Sequence, residues 1–422
     1  FRLISSTTWD YDHADMKELN EKIYGNDLAE KFDRYYKKSI EEDWFPDYSK
    51  NGWKMGIFAG NNGANWRATG STWRKTAFEE LETIVSLAPD MGVTSLYSDY
   101  VLPIAHHYER NDLMLQSRVP YLQVLNEAVP PLGEAVDDWE ANRRLAEAIS
   151  RRAKERNIKP IQDAVDGRTV RRDYTKTLEL YTMGGRVNNS KDVAQFIINA
   201  SHGIPKISFE ELSQKGIVKV EGVENTMWEK DESPYHNEIV KSVKKKLPYE
   251  TFTGRQQFYI DHEWFIEFGE TLPTFKEPLE IDDFPLRMMM GHARHGIHST
   301  WRDDSFLLSL QRGEPDIYVN PDDAINRGVE DGDMIRIYNT AGEFFAMAHV
   351  SSGIQPGMLF MYHGWDPKMF KGGKNFSEVI PTGGLIKPTS MAGDYGHLGY
   401  QPLAFAPNQT YKDFTCDFEK SA

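Results

Sequence analysis

The stretch IYVNPDDAINRGVEDGDMIRIYNTAGEFFAMAHVSSGIQPGMLFMYHGW, residues 317–365, decides the fold of the C-terminal part of the chain. It consists of short apolar runs separated by turn residues, such as Asp331-Gly332-Asp333 and Thr340-Ala341-Gly342. One short helix is predicted from Pro321 to Arg327, because Asn320 can cap it and proline fits its first turn. Many short strands with one small helix indicate a closed β-barrel. Because the pattern turns to β at about residue 252, we assign residues 252–422 to this barrel domain.

The segment from residue 54 to residue 157 alternates strands with helices and predicts an α/β domain with a parallel sheet. A buried strand at Met55–Ala59 leads into a loop rich in Gly and Asn, and a helix, a strand, a turn and a second strand follow. DDWEANRRLAEAISRRAKERN then predicts an amphipathic helix. Its predicted buried stripe consists of Trp139, Leu145, Ala146 and Ile149. Residues 1–53 form a polar N-terminal segment, and the charged residues 158–251 are predicted to be a connector or insertion.

The composition argues against several classes of function. The chain has 422 residues, 40% of them hydrophobic, and a net charge of −15. Such a charge argues against a long nucleic-acid partner, because phosphate binding needs clustered positive charge. The single cysteine, Cys416, excludes an intrachain disulfide and cannot build an iron–sulfur cluster. No run reaches the ~18 apolar residues of a membrane span. Since the first residue is Phe1, we expect a processed or partial polypeptide.

The densest polar cluster is GHARHGIHSTWRD, residues 291–303. Its histidines at 292, 295 and 298 have a spacing that a metal site could use, but no carboxylate or thiolate completes a familiar zinc signature. A second interpretation is recognition of a polyanion or a heteroaromatic ring. Arginine offers a fixed fork of donors, serine and threonine offer hydroxyls, and glycine lets the backbone approach. A purely structural loop is the third alternative.

Two further loops are rich in glycine. GNNGANWRATGS, residues 60–71, follows a strand and precedes a helix, where backbone N–H groups can face a phosphate. An ordinary strand–helix turn has the same composition, so both interpretations stay open. PTGGLIKPTSMAGDYGHLGYQPLAFAPNQ, residues 381–409, combines five glycines with hydroxyls and apolar residues, which favours packing against a ligand or another domain.

LYSDYVLPIAHHYERNDL, residues 96–113, places a polar group at the end of a predicted strand, where α/β sheets bind ligands. This group consists of Asp99, His106, His107, Glu109 and Arg110. A His–Glu pair for acid–base catalysis is one interpretation, and structural hydrogen bonding is the other. Nucleophilic catalysis has no support, because no G-x-S-x-G turn is present and Cys416 has no neighbouring histidine.

Together these segments resemble the dimethyl sulfoxide reductase family of molybdenum enzymes. The resemblance is closest to its second type, which includes nitrate, perchlorate and selenate reductases and the dehydrogenases of dimethylsulfide and ethylbenzene. LYSDYVLPIAHHYERNDL and PLGEAVDDWEANRRLAEAI look like the α/β part of the family, and FTGRQQFYIDHEWFIEFGETLP is similar to the segment before its last domain. GHARHGIHSTWRD resembles its cofactor loop, and VNPDDAINRGVEDGDMIRIYNTAGE its double-psi β-barrel. The resemblance, over roughly residues 54–157 and 252–420, implies the C-terminal half of a catalytic α subunit.

The resemblance implies a molybdenum bis(molybdopterin guanine dinucleotide) cofactor, with an iron–sulfur cluster expected only in an N-terminal half. The family's cluster-binding cysteines and the segment that supplies an Asp ligand to molybdenum are absent here, so no metal ligand is assigned and the catalytic residues stay unknown. Expected contacts to the pterin or its pyrophosphate are His292, Arg294, His295, Gly296, His298, Ser299 and Thr300. Expected contacts to the dinucleotide from the α/β domain are Asn62, Asn65 and Trp66. Those expected to close over the cofactor from the barrel side are Lys387, Thr389, His397, Asn408 and Gln409.

The C-terminal stretch AGDYGHLGYQPLAFAPNQTYKDFTCDFEK is most similar to ethylbenzene dehydrogenase and its steroid-hydroxylating relatives. That similarity implies oxygen-independent hydroxylation of a hydrocarbon with water as the oxygen donor, the electrons passing to iron–sulfur clusters and a haem. One alternative is an oxyanion reductase acting on nitrate, perchlorate, chlorate or selenate, and another is a non-catalytic cofactor-binding half-subunit. The expected partners are the N-terminal half of the same subunit, an iron–sulfur β subunit and a haem γ subunit. The periplasm is the expected location, with the cytoplasm or a membrane surface as the alternatives.

Overall fold

The computed structural model divides the chain into two compact units. Unit 1 combines residues 1–101 with residues 258–422, and unit 2 comprises residues 102–257. The division differs from the predicted one, because residues 54–101 fall with the barrel and not with residues 102–157. The structure describes residues 18, 21–22, 25–41, 54–66, 70–115, 121–165, 168–220, 244–249, 254–255, 258–259, 266, 271–272, 274, 283–300, 302, 304–310, 313–380, 390–392, 401–404 and 414–421.

The α/β layer of the chain alternates helices with strands, as predicted. Its elements are α1 (Asn26–Glu41), β1 (Met55–Ala59), α2 (Gly63–Trp66), α3 (Gly70–Glu80), β2 (Thr83–Ala88), α4 (Val93–Leu96) and β3 (Tyr100–Pro103). The bounds of β1 match the predicted strand, but its predicted burial was wrong, because Met55 and Ile57 are 56% and 43% exposed. The sheet has the order β1-β2-β3. Strands β1 and β2 pair in parallel, with Met55 opposite Thr83 and Ala59 opposite Leu87. Helices α2, α3 and α4 contribute Ala64, Phe78 and Val93 to a small core with Ile84 of β2.

Unit 2 has its own sheet and core. Its elements are β4 (Asp112–Leu115), β5 (Tyr121–Leu125), α5 (Asp138–Glu155), β6 (Ile161–Val165), β7 (Arg168–Arg172), α6 (Thr177–Tyr181), α7 (Ser190–Ala200), α8 (Phe209–Lys215) and β8 (Ile217–Lys219). Strands β4, β5 and β8 form an antiparallel sheet, and β6 pairs with β7. The core consists of Leu122, Ile198, Ile204, Ile207, Leu212 and Val220. Residues 161–165 and 168–219 therefore contain several helices and strands, which the predicted connector did not anticipate.

Helix α5 is amphipathic, but its buried stripe was only partly predicted. Ala146 is buried as expected, whereas Leu145 and Ile149 are 39% and 37% exposed, so these two assignments were wrong. The small residues Ala141, Ser150 and Ala153 are buried instead. The helix begins at its cap, Asp137, whose carboxylate accepts a hydrogen bond from the Glu140 N–H.

A closed six-stranded barrel forms the C-terminal part of unit 1, as the sequence predicted. Its strands are β9 (Leu286–Gly291), β10 (Asp316–Val319), β11 (Met334–Asn339), β12 (Gly342–Val350), β13 (Met358–Tyr362) and β16 (Phe414–Lys420), in the order β10-β12-β11-β16-β9-β13. Two α-helices, α9 (Ser305–Leu310) and α10 (Pro321–Asn326), and the strand pair β14 (Ser390–Ala392) and β15 (Gln401–Ala404) lie in the same part of the chain. Helix α10 is capped by Asn320, which confirms the predicted cap.

The barrel interior is filled by alternate residues of its strands. Met288, Ile317, Ile335, Ile337 and Leu359 are fully buried in one cluster. This period of two is what a strand with one face toward a core requires. Strand β10 runs parallel to β12, and β13 parallel to β9, while the other neighbouring strands are antiparallel. Among the described residues, no helix is both long and apolar enough to cross a membrane.

Candidate cofactor cavity

A cavity of about 620 Å³ lies within unit 1, where the α/β layer meets the barrel. Pockets of this size hold small molecules and cofactors. Loops from both parts of the unit line it, and the lining residues include Asn62, Asn65, Trp66, Asp90, Thr94, His292, His298, Ser299, Thr300, His363 and Gly364. The cavity is therefore shaped by the loop after β1, the loop after β2, the loop after β9 and the end of β13.

Asn62 joins the loops on the two sides of the cavity. Its amide nitrogen donates to the Ser299 hydroxyl at 2.7 Å, and its amide oxygen accepts the Thr94 N–H at 3.0 Å. A single half-buried side chain thus links the β1 loop, helix α4 and the β9 loop. Such bonds fix the width of the opening, because each polar group already has its partner in a defined direction.

Asn65 and Asn375 form a buried wall behind the cavity. The Asn375 amide donates to the Asn65 side-chain oxygen at 2.7 Å, and both residues are at most 1% exposed. The Asn65 amide lies 3.4 Å from an Asp366 carboxylate oxygen, which is also buried. A buried polar network of this kind specifies one arrangement, because any displacement leaves a polar group unpaired. These bonds explain why residues 54–101 group with the barrel.

A buried ion pair reinforces the same junction. Arg74 of α3 donates to Glu378 at 2.9 Å, and their side chains are 7% and 6% exposed. Arg74 also donates to the Ala64 carbonyl at 2.8 Å, and Ser71 donates to the Glu378 carboxylate. Each charge therefore has several partners, which is the condition under which a buried pair is tolerated.

Three imidazoles lie together at the barrel side of the cavity. The rings of His292, His298 and His363 have centroids 4.6–5.2 Å apart, and their nitrogens lie within 4.8 Å of one another. His298 Nδ1 is 3.0 Å from His363 Nε2, and His363 Nδ1 is 2.7 Å from the Gly291 carbonyl oxygen. Burial lowers the pKa of His363, although the bond to Gly291 acts in the opposite direction. Within the described residues, this trio is the group whose geometry suits a metal ion, and it includes His363 in place of His295.

Arg302 holds the backbone around this trio. It donates to the carbonyls of His298, at 3.1 Å, and His363, at 2.5 Å, and its guanidinium lies 5.0 Å from the centre of the Trp365 ring. Burial lowers the pKa of Arg302, and the nearby Asp366 opposes that effect. Arg302 is 4% exposed, so it places a buried positive charge beside the cavity.

Gly364 lets two segments meet at the cavity wall. Its φ is +96°, and a Cβ atom there would lie 2.0 Å from the His298 carbonyl oxygen. Only glycine satisfies both conditions without moving the backbone. His298 itself has a φ of +50°, in the left-handed region that non-glycine residues rarely adopt. Strained backbone of this kind concentrates at functional sites.

Seven of the predicted contact residues line the cavity, namely Asn62, Asn65, Trp66, His292, His298, Ser299 and Thr300. Three others, Arg294, His295 and Gly296, belong to the same loop but are not among the lining residues. A further five, Lys387, Thr389, His397, Asn408 and Gln409, lie outside the described residues. Sequence reasoning missed His363 and Arg302. A His–Gly pair directly after a barrel strand was the available signal for the first of these.

The predicted polar group flanks β3, with Asp99 directly before the strand and the other four residues after it, and it makes structural hydrogen bonds. The Asp99 carboxylate accepts from the Ile84 N–H at 2.7 Å, and Glu109 accepts from the His106 N–H at 2.8 Å in a capping box. Arg110 pairs with Asp112 at 3.4 Å and also with Asp138. These contacts favour the structural interpretation over acid–base catalysis.

Comparisons with known proteins match both parts of this site. Residues 286–394 match the family described as molydopterin dinucleotide binding domain, and residues 32–148 match molybdopterin oxidoreductase. The two matches confirm the expected cofactor, molybdenum bis(molybdopterin guanine dinucleotide). The donors around the cavity fit such a ligand, since amides, hydroxyls and imidazoles suit a heteroaromatic ring and its phosphates.

Three curated relatives are similar along nearly the whole chain. The chain is 32% identical to the respiratory nitrate reductase subunit alpha of Haloferax mediterranei, over 100% of this chain and 44% of that protein. It is 32% identical to the dimethylsulfide dehydrogenase subunit alpha of Rhodovulum sulfidophilum, over 96% of this chain and 44% of that protein. It is 31% identical to the chlorate reductase subunit alpha of Ideonella dechloratans, over 97% of this chain and 45% of that protein. The chain thus spans less than half the length of these relatives.

A solved structure shares the fold. Acetylene hydratase from Pelobacter acetylenicus matches with a TM-score of 0.56 and 16% identity, over 89% of this chain and 47% of that one. At this identity the match supports the molybdopterin oxidoreductase fold alone. Neither this structure nor the three relatives supports the expected closeness to ethylbenzene dehydrogenase. The relatives favour the alternative interpretation, oxyanion reduction, over hydrocarbon hydroxylation.

Proposed function

We propose that this chain is part of the catalytic α subunit of a molybdenum oxyanion reductase, acting on an anion such as nitrate or chlorate. The observation that carries the proposal is the cavity, whose two walls come from the two segments that match molybdopterin families. The named relatives support this reaction class, since two of the three are named as reductases of oxyanions. The third, dimethylsulfide dehydrogenase, makes oxidation of a small sulfide the second candidate.

The cofactor, when bound, supplies a two-electron exchange of one oxygen atom between substrate and solvent. Ser299, Thr300 and the Asn62 amide hold the cofactor's polar edges, because they present hydroxyl and amide groups along the cavity. His292 and His298 bind the heterocycle from the barrel side. Arg302 contributes positive potential that offsets the negative charge of the pyrophosphate, in a chain whose net charge is −15.

The surrounding network keeps this site rigid. The Asn65–Asn375 bond and the Arg74–Glu378 pair hold the α/β layer against the barrel, so the cavity walls keep their separation when the ligand enters. For the barrel we propose the double-psi topology, supported by its two parallel strand pairs. Arg294, His295 and Gly296, as well as the contacts expected from residues 387–409, stay part of the proposed cofactor contacts.

The remaining partners are also proposals. We assign the N-terminal half of the same subunit, an iron–sulfur β subunit and a haem γ subunit to the complex, with one more iron–sulfur cluster in the N-terminal half. The names of the relatives, each a subunit alpha, support an assembly of several chains. The periplasm is the proposed location.

Two dye assays on the intact complex test the reaction class. With a reduced viologen dye as donor, we expect turnover of nitrate or chlorate. With an oxidised dye as acceptor, dimethylsulfide and ethylbenzene test the two oxidation alternatives. Turnover of ethylbenzene alone would restore hydrocarbon hydroxylation, and turnover of dimethylsulfide alone would favour the sulfide dehydrogenase.

A further inference from the structure

Residues 151–176 of unit 2 have a charge opposite to that of the whole chain. This basic segment contains nine lysines and arginines and four acidic residues, so its net charge is +5 in a chain of −15. It begins in the last turns of α5, continues through β6 and β7, and ends in a 3₁₀ turn (Tyr174–Lys176) that packs against α5. The Leu178 N–H directly after that turn donates to the Ser150 hydroxyl at 2.8 Å. The two ends of the basic segment therefore lie close together.

Several cations of the basic segment have no acidic partner. Glu155 pairs with Arg151 and Arg152, and these pairs are exposed. Exposed lysines and arginines of the segment that form no salt bridge with a described residue are Lys154, Arg156, Arg171 and Lys176. The helix dipole accounts for cations in the last turn of α5, but it has no bearing on Arg171 in β7.

The hairpin of β6 and β7 has an apolar and a polar face. Gln162 lies opposite Arg171 on one face, whereas Ile161 and Val170 lie on the other. The apolar face also carries an ion pair of 2.6 Å between residues 163 and 172, whose charges cancel. Ile161 and Val170 are 46% and 37% exposed, and Ile158, just before the hairpin, is 43% exposed. A two-stranded hairpin is at most marginally stable in water by itself, so this uncovered apolar face favours a partner surface.

We propose that the basic segment binds the surface of an anionic lipid bilayer, with Ile161 and Val170 inserted among the headgroups and the four unpaired cations at the lipid phosphates. An apolar face combined with a face rich in lysine and arginine is typical of elements that lie in a bilayer interface. Each lysine or arginine held near anionic lipid strengthens binding roughly fivefold, so four together give on the order of 500-fold. The proposal concerns unit 2 and does not rest on the proposed function.

An acidic protein surface is the other source of anions, and the basic segment suits it less well. Arginine recognises carboxylates through paired N–H bonds in fixed directions, whereas lysine acts as a point charge. Two of the four unpaired cations are lysines, and apolar side chains lie among them, which favours a bilayer. The remainder of the chain, with a net charge of −20, repels anionic lipid, but at physiological salt this repulsion acts over only about 8 Å. Orientations with the basic segment toward the bilayer are therefore favoured.

Flotation with lipid vesicles tests the proposal on the full 422-residue chain. We expect the wild type to float with vesicles of equal parts phosphatidylglycerol and phosphatidylcholine, but not with phosphatidylcholine alone, and added NaCl should weaken binding. Affinity should fall on the order of 500-fold when glutamine replaces all four cations, in Lys154→Gln, Arg156→Gln, Arg171→Gln and Lys176→Gln together. The matched control changes the net charge equally at exposed lysines elsewhere that form no salt bridge with a described residue, and it should bind like the wild type: Lys75→Gln, Lys191→Gln, Lys215→Gln and Lys219→Gln.

Two double variants distinguish a bilayer from an acidic protein. Arg156→Lys with Arg171→Lys keeps the charge but removes the paired N–H donors, so vesicle binding should persist. Ile161→Ser with Val170→Ser should weaken binding, because the apolar face is lost. A wild type that leaves anionic vesicles unbound, or that binds poly-glutamate instead of them, would overturn the proposal. Equal losses in the two glutamine sets, or loss of binding in the double lysine variant, would also overturn it.

Discussion

Removing the carboxylate of Glu378 should destabilise unit 1 more than any exposed ion pair could. Glu378 accepts from Arg74 at 2.9 Å and also from Ser71, while the side chains of Glu378 and Arg74 are almost fully buried. In Glu378→Ala, Arg74 would still donate to the Ala64 carbonyl at 2.8 Å and lie 5.9 Å from the centre of the Tyr97 ring. Among the described residues, it would have no anion at hydrogen-bonding distance.

The expected magnitude follows from that geometry. Leaving a buried charge without its partner costs about 3–5 kcal/mol. A loss of ~4 kcal/mol lowers the folding equilibrium constant roughly a thousandfold. If both partners are replaced, as in the double variant Arg74→Met with Glu378→Leu, no uncompensated charge remains, and the loss should be smaller than for Glu378→Ala.

Urea unfolding followed by tryptophan fluorescence measures these differences. Glu82→Ala is the matched control, because Glu82 pairs with Lys54 at a site where both side chains are about two-thirds exposed. That variant should lose only about 0–1 kcal/mol. A loss below ~1 kcal/mol in Glu378→Ala, or a double variant less stable than the single one, would refute the role of this pair.

Three further changes probe other parts of the chain. Gly364→Ala should lower the melting temperature more than Gly372→Ala. Both glycines have a positive φ, but only at Gly364 would a Cβ atom lie against a carbonyl oxygen, at 2.0 Å. Equal melting temperatures of the two variants would contradict this close contact. Hydrogen bonding to Arg143 lowers the pKa of Glu140 from 4.5 to about 2. The Glu140 carboxylate therefore stabilises helix α5 above pH 4.5, and this stabilisation is lost as the pH falls toward 2. In Glu140→Gln, the stability of α5 should lose this pH dependence. Circular dichroism of the wild type and Glu140→Gln between pH 4.5 and pH 2 checks this prediction. Identical acid transitions in the two proteins would refute the role of Glu140. Ile198 is fully buried, so Ile198→Ala should lower the free energy of unfolding by about 2–5 kcal/mol in urea. Leu180 is 70% exposed, so Leu180→Ala should lower it by less than ~0.5 kcal/mol. Similar losses in the two variants would contradict the assigned core.

Local patterns predicted the elements that local forces determine. The strand at Met55–Ala59, the alternation after it, the cap at Asn320 and the turns of the barrel were all read from neighbouring residues and are present. Turn chemistry and a period of two act over a few residues, so a single sequence reveals them. The predicted burial of Leu145 and Ile149 in helix α5 was wrong, because small residues of the neighbouring turns are buried instead.

The site was predicted only where its residues lie close together in sequence. His298 and His363 are 65 positions apart, and Asn65 and Asn375 are 310 apart, so barrel closure and packing of the layers bring them together. Within one loop, residue type alone could not tell which arginine would be buried, and Arg302 was overlooked. The substrate was inferred from the C-terminal 30 or so residues, most of which lie outside the described ranges, while the curated relatives favour the oxyanion alternative.

Binding of the dinucleotide cofactor in the cavity beside Asn62 and His298 is tested most directly by metal and nucleotide analysis of the intact subunit. The wild-type protein should contain molybdenum and should release two GMP per molybdenum on acid extraction. Asn62→Leu, which removes the bonds to Ser299 and Thr94, should lower both contents together while unit 2 stays folded. A wild-type subunit with no pterin and neither molybdenum nor tungsten would contradict the assignment, as would an Asn62→Leu protein with full molybdenum and GMP.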